Sequence, residues 1–181
     1  MEKSTFKVLF ASLAILLLVL PFVTTFNELL TTLVMKIKFY RFIQSLIVPF
    51  EAKMVTVILK AFGMTAIPTL TGVRIGSANT IGNHVTISWN CIGWQSFILL
   101  VISLVTGLQG PYQILTKIQT IITGVTGTFL LNIFRITFII VIAQKINPVA
   151  AVIFHDYFST LIIVAWLFFF WWFSYSFILE K

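Results

Sequence analysis

Four stretches of the chain are apolar enough, and long enough at 1.5 Å per residue, to cross about 30 Å of hydrocarbon as helices. They are residues 6–26, 92–108, 117–144 and 150–178. The second, "IGWQSFILLVISLVTGL", is short but almost free of polar groups. The third is interrupted by Asn132 and Arg135. The fourth ends in "WLFFFWWFSYSFILEK", whose Trp and Tyr side chains suit a membrane interface. Lys3 and Lys7 precede the apolar run Val8 to Val23, and no small-x-small cleavage site follows it. The first stretch therefore reads as a retained span and not as a cleaved leader.

Between the first two spans the pattern changes twice. Residues 28–48 have helical periodicity but carry Lys36, Lys38 and Arg41. Pro49 then suits the first turn of a new helix, Phe50 to Phe62, with Glu51 at its positive end and Gly63 as its stop. In that helix Lys53, Thr56 and Lys60 fall at i, i+3 and i+7, one polar stripe on an apolar cylinder. This is the pattern of a helix lying in the membrane surface. A helix packed on the other spans and a further span are the alternatives. Residues 65–90 switch to period two. Val73 and Ile75 alternate with Arg74, and Val85, Ile87 and Trp89 alternate with Thr86 and Ser88, between Gly and Asn punctuation. The prediction is a hairpin or small sheet. An open sheet edge cannot face lipid, so this element must sit outside the hydrocarbon, capping the bundle.

Composition supports the same class. Of 181 residues, 59% are hydrophobic and only 9% charged, against about 25% charged in a soluble domain. The fold class predicted is an all-α polytopic membrane protein in a single membrane domain, residues 1–181. It has about four transmembrane helices, interfacial helices, and a small extracytoplasmic β-hairpin within a surface segment, 27–90. The net charge of +7 has no basic cluster interleaved with exposed aromatics. It points to membrane lipids as partners and not to nucleic acid. A single Cys excludes an internal disulfide framework. Cys91 and the two His are not at metal-ligand spacing, so neither a metal nor a cofactor is expected.

Sidedness follows by parity. With Lys3 and Lys7 cytoplasmic, span one ends outside, and residue 91 stands at the outer end of span two. Lys36, Lys38, Arg41, Lys53, Lys60 and Arg74 run against the positive-inside tendency, which long segments obey less strictly.

Candidate chemistry collects at that surface. Asn90 is a good helix N-cap, which makes Cys91 the first residue of span two. A helix N-terminus favours a thiolate; a small buried hydrophobe is the alternative. Arg135 stands 18 positions beyond Lys117, about 27 Å along the helix. An ionisable residue inside a span is a functional candidate, with snorkelling to the interface as the alternative. Asn132, one turn earlier, shares its face. His155 can act as general base and acid. Its neighbour Asp156 points elsewhere on an α-helix, which makes an orienting carboxylate doubtful. His84, on the polar side of the hairpin, is a weaker candidate. Cys91, Arg135 and His155 come from three spans and meet one surface, a set suited to cysteine acyl transfer through a thioester. A non-enzymatic reading, a small transporter or an assembly subunit, would leave Cys91 as packing. The chain has no internal repeat, no pair of broken helices and no ladder of charges to support it.

The order C-x-G-x-x-S at Cys91 to Ser96, then N-x-x-R-I at Asn132 to Ile136, then an isolated His resembles the exosortase/archaeosortase family. The alternation before Cys91 resembles it as well, and the likeness spans residues 63–165. It implies a membrane-embedded cysteine transpeptidase acting on C-terminal sorting signals, each a short motif, a transmembrane helix and a basic tail. Substrate proteins carrying such signals are the partners implied, with transfer to a lipid or another nucleophile outside the cytoplasmic membrane. By this resemblance Cys91 matches the nucleophile, Arg135 the essential Arg and His155 the third position. Gly93, Ser96, Asn90 and Asn132 take supporting places. Some members carry Arg at the third position, so His155 indicates one branch. Many read C-S-G or C-T-G where this chain has Ile92. The chain is also shorter than typical bacterial members, which often have eight spans. It looks like a minimal, archaeal-type form.

Overall fold

The computed structural model describes residue 32, residues 40–76 and residues 82–179. The predicted span 6–26 and most of the predicted helix 28–48 lie outside the described residues. The chain divides into two compact units, Met1–Phe42 and Ile43–Lys181, and the elements below lie in the second, save the first three residues of the first helix.

Helix α1, Tyr40–Ala61, runs straight through Pro49, so Pro49 does not begin a new helix. Within a membrane-type helix the carbonyl that Pro frees can be satisfied by neighbouring helices and side chains, so the break expected in water need not occur. Val48, Glu51, Ala52, Val55, Thr56 and Leu59 are buried along one stripe, the spacing of a helix packed on others. Thr56 belongs to this stripe while Lys53 and Lys60 are exposed, so the polar stripe of a surface-lying helix is not formed. At 22 residues α1 is about 33 Å long, and it is apolar enough to cross a membrane.

Three short strands come next: β1 Ala66–Thr69, β2 Gly72–Ile75 and β3 Asn83–Thr86. They pair antiparallel in the order β1-β2-β3, one strand more than a hairpin. The period-two pattern puts Ala66 and Val73, with Ile87 beyond the last strand, onto one core. That core also holds Val55 and Leu59 of α1 and, from a later helix, Ile133, Ile136 and Ile140. Arg74 lies opposite His84 in the register, and both are exposed.

Helix α2, Trp94–Gly107, has 14 residues. Its length of about 21 Å falls short of the hydrocarbon, unlike the span predicted over 92–108. Helix α3, Ile114–Lys145, and helix α4, Pro148–Ile178, are long and apolar enough to cross, so the described residues contain three such helices. Both match the predicted third and fourth spans closely. Asn147 caps α4, its Oδ1 accepting from the Ala150 N–H at 2.6 Å, with Pro148 in the first turn. Two segments of α4, Phe154–Phe158 and Ser174–Ile178, are π-helical.

Gly107, Gly124 and Gly127 each lie against an aromatic ring of α4: Trp171, Phe170 and Trp166 respectively. A Cβ at any of them would meet that ring. These glycines therefore serve internal packing and are not open to an incoming substrate helix. Leu100 and Leu104 of α2 complete this second core against Phe170.

Candidate active site

The residues Trp89–Cys91 form a single 3-10 turn between the sheet and α2. The Cys91 N–H donates to the Ser88 carbonyl at 2.9 Å, which closes the turn. Gly93 ends it with a left-handed φ of 76° and stands as the residue before α2. Only Gly takes that conformation at little cost, and a side chain there would also run into the Asn132 amide. The predicted cap is thereby corrected. Asn90 lies inside the turn, Gly93 occupies the cap position, and Cys91 precedes α2 instead of opening it. Trp89 and Trp94 stack across the turn, their rings 5.6 Å apart.

Two polar groups flank the half-buried Cys91 thiol. Ser88 Oγ lies 3.2 Å from Sγ, and His155 Nε2 lies 3.6 Å from it on α4. Burial alone would push the thiol up. The hydrogen bonds from His155 and Ser88, with the positive charges of His155 and Arg135, outweigh it and bring the thiol down to about 7. The activation expected from a helix N-terminus comes instead from these side chains.

Asp156 touches His155, its Oδ1 2.9 Å from Nδ1, although an α-helix points neighbouring residues apart. The reason is local. Residues Phe154–Phe158 are π-helical, and the Ser159 N–H reaches back five residues to the Phe154 carbonyl. More residues per turn mean a smaller rotation between neighbours, so adjacent side chains lean the same way. Cys91, His155 and Asp156 stand in a row, thiol to imidazole to carboxylate.

The other side of Cys91 is held by its carbonyl. Asn132 Nδ2 and Arg135 Nη2 of α3 both donate to it, each at 3.1 Å. Arg135 is only 7% exposed, so it does not snorkel. Asn132 Nδ2 also donates to Glu51 Oε1 at 2.9 Å, and Glu51 is 0% exposed.

The structure thus brings together Cys91, Arg135, His155, Asn132 and Gly93 from the sequence prediction. Ser96 instead shares the buried stripe of α2 with Leu100 and Leu104. His84 sits among Thr69, Thr71 and Thr86, within 3.0 to 3.4 Å of their hydroxyls. Three residues of the cluster escape the sequence prediction: Ser88, Glu51 and Asp156. Glu51 and Asp156 are two of only five acidic residues in the chain. An acid inside an apolar helix is a signal for Glu51; nothing local signals the π turn that brings in Asp156.

A family model for transmembrane exosortases matches residues 2–172. This chain belongs to that family. The match exceeds the resemblance seen over 63–165 and includes every residue of the cluster, from Glu51 to Asp156. No curated protein and no solved structure is significantly similar to the chain. Exosortase membership and the apolar helices mark a membrane protein concerned with protein sorting.

Proposed function

We propose that this exosortase is a membrane-embedded cysteine transpeptidase that cleaves C-terminal sorting signals through a thioester. The observation that carries the reading is the 3.6 Å approach of Cys91 Sγ to His155 Nε2. The thiol proton passes to Nε2, and the thiolate attacks the scissile peptide carbonyl. His155 returns the proton to the departing amine as the C–N bond breaks, which leaves the acyl group on Cys91. An acceptor with a lipid, amine or water nucleophile gives its proton to His155 and attacks the thioester, freeing Cys91. Asp156 orients the imidazole and balances its charge when protonated, in the manner of triad carboxylates. Arg135 favours the thiolate and the negative charge that develops on the attacked carbonyl.

In this reading the site works at the outer face of the cytoplasmic membrane, on proteins with a short motif, a transmembrane helix and a basic tail. Cys91 directly follows a sheet whose open edges must avoid lipid, which supports a place at the membrane boundary. The test is processing of such a substrate by the folded Cys91→Ala variant. Processing should stop; if it continues, the acyl-transfer reading is wrong. A membrane-impermeant maleimide should label Cys91 in intact cells, and labelling confined to lysed cells would put the site on the inner face.

A further inference from the structure

Glu51 has no place in the proton path, yet it is fully buried in a helix long enough to span a membrane. A carboxyl in such a position is costly and persists only where something holds it. What Glu51 touches is Asn132, itself 4% exposed. The two N–H groups of one Asn132 amide have two acceptors, Glu51 Oε1 at 2.9 Å and the Cys91 carbonyl at 3.1 Å. Turning the amide over would set Oδ1 against both of these oxygens. Glu51 therefore fixes which way the amide faces, and the amide in turn holds the peptide of the proposed nucleophile. Gly93 completes the arrangement, because its missing side chain is what leaves room for the Asn132 amide.

Resting on the cysteine acyl-transfer reading, we infer that Glu51 is a positioning residue. Through Asn132 it locks the Cys91 carbonyl between Asn132 and Arg135, and so keeps Sγ within reach of His155. The chain of contacts links α1 to α3, α3 to the turn before α2, and that turn to α4. Glu51 thus contributes to the site from an element that carries none of the reacting groups.

Two substitutions separate reach from charge in the full-length protein. Glu51→Gln keeps an oxygen at the same distance and removes the charge. Glu51→Asp keeps the charge and withdraws the oxygen by one methylene. The readouts are the rate of sorting-signal processing and the pH midpoint of Cys91 alkylation by N-ethylmaleimide, which needs no substrate. Glu51→Gln should process within about threefold of the natural protein, with its midpoint no higher, since the lost contact is replaced and only a like charge is removed. Glu51→Asp and Asn132→Ala should each lose roughly tenfold or more, with the Cys91 midpoint moving up in both. Because they break one relay, the double variant should be no slower than Asn132→Ala alone. The inference is overturned if Glu51→Asp behaves like the natural protein. It is equally overturned if Glu51→Gln is as slow as Glu51→Asp, or if the two losses multiply. Should Glu51→Asp not fold, Glu51→Gln on the Asn132→Ala background decides the matter, and any further loss there sinks the relay. Processing that survives Cys91→Ala would remove the enzymatic reading, while the alkylation comparison would still judge Glu51.

Discussion

Helix α3 buries a stripe at every fourth residue, Thr116, Thr120, Gly124, Thr128, Asn132, Ile136 and Ile140, but its two halves use the stripe differently. The first half is small. Gly124 and Gly127 receive Phe170 and Trp166, Thr120 Oγ1 donates within the helix to the Thr116 carbonyl at 2.8 Å, and Thr128 Oγ1 accepts from Trp166 of the helix packed on it. Around Asn132 and Arg135 the second half reaches across to other elements, to Glu51 and to the Cys91 carbonyl. Between membrane helices, where apolar burial gives little preference for one partner over another, close packing of small residues supplies adhesion. Long-range polar contacts supply position. One half holds the bundle together and the other sets a geometry, so damage to each should be felt in a different measurement.

Arg135→Ala should have the largest effect, because it removes both the charge and one of two donors to Cys91. Processing should fall roughly a hundredfold or more per folded molecule, the loss expected for a buried charged hydrogen-bond partner. Arg135→Lys keeps the charge without the planar fork and should recover only part of it. Next comes His155→Ala. Alkylation of Cys91 in the natural protein should rise with pH and reach half its maximum near the thiol value of about 7. The thiol is held down by His155, so removing the imidazole moves the midpoint upward. If the thiol returns to its free value near 8.5, alkylation at pH 7 slows roughly tenfold. A midpoint that stays put would show that His155 does not touch the thiol in solution.

The packing half should respond in stability alone. Gly127→Ala places a methyl against the Trp166 ring and should cost about 1–3 kcal/mol, read as a lower melting temperature in detergent. Its Cys91 alkylation midpoint should not move; a shift would erase the division between the two halves. The smallest effect belongs to Thr128→Val, which keeps the side-chain volume. It deletes the acceptor of the 2.9 Å bond from the Trp166 indole N–H, worth about 0.6 kcal/mol on average between membrane helices. It should lower the melting temperature slightly and leave processing intact.

Most of the candidate site is legible in the sequence for one reason: a polar residue in an apolar helix stands out. Asn132, Arg135 and His155 are found that way, Cys91 stands out as the one thiol where the alternating pattern gives way to the apolar one, and the long runs of α3 and α4 are unambiguous. The differences between pattern and structure share another cause. Pro49 signals a helix start because Pro has that meaning in water, and Glu51 then passes for a charge at a helix end. With α1 continuous through Pro49, Glu51 becomes a buried carboxyl in need of a partner. Asp156 is discounted on α-helical geometry that does not hold over Phe154–Phe158. Cys91 is read as opening the second helix because the left-handed Gly93 cannot be told by composition from a helical one.

The π turn in α4 carries a consequence for how this site can be gained or lost. It is one residue more than a regular helix needs over the same path. Remove Phe158 and the helix heals to α. Everything before the cut then rotates by about 100° relative to the rest of the helix. His155 and Asp156 would turn off the Cys91 side together, with no polar group mutated and every span still apolar. A single-codon deletion can thus produce a descendant that is better formed as a helix, still apolar along every span, and without the row of Cys91, His155 and Asp156. In this lineage of folds, irregularity at that turn is the heritable mark to look for.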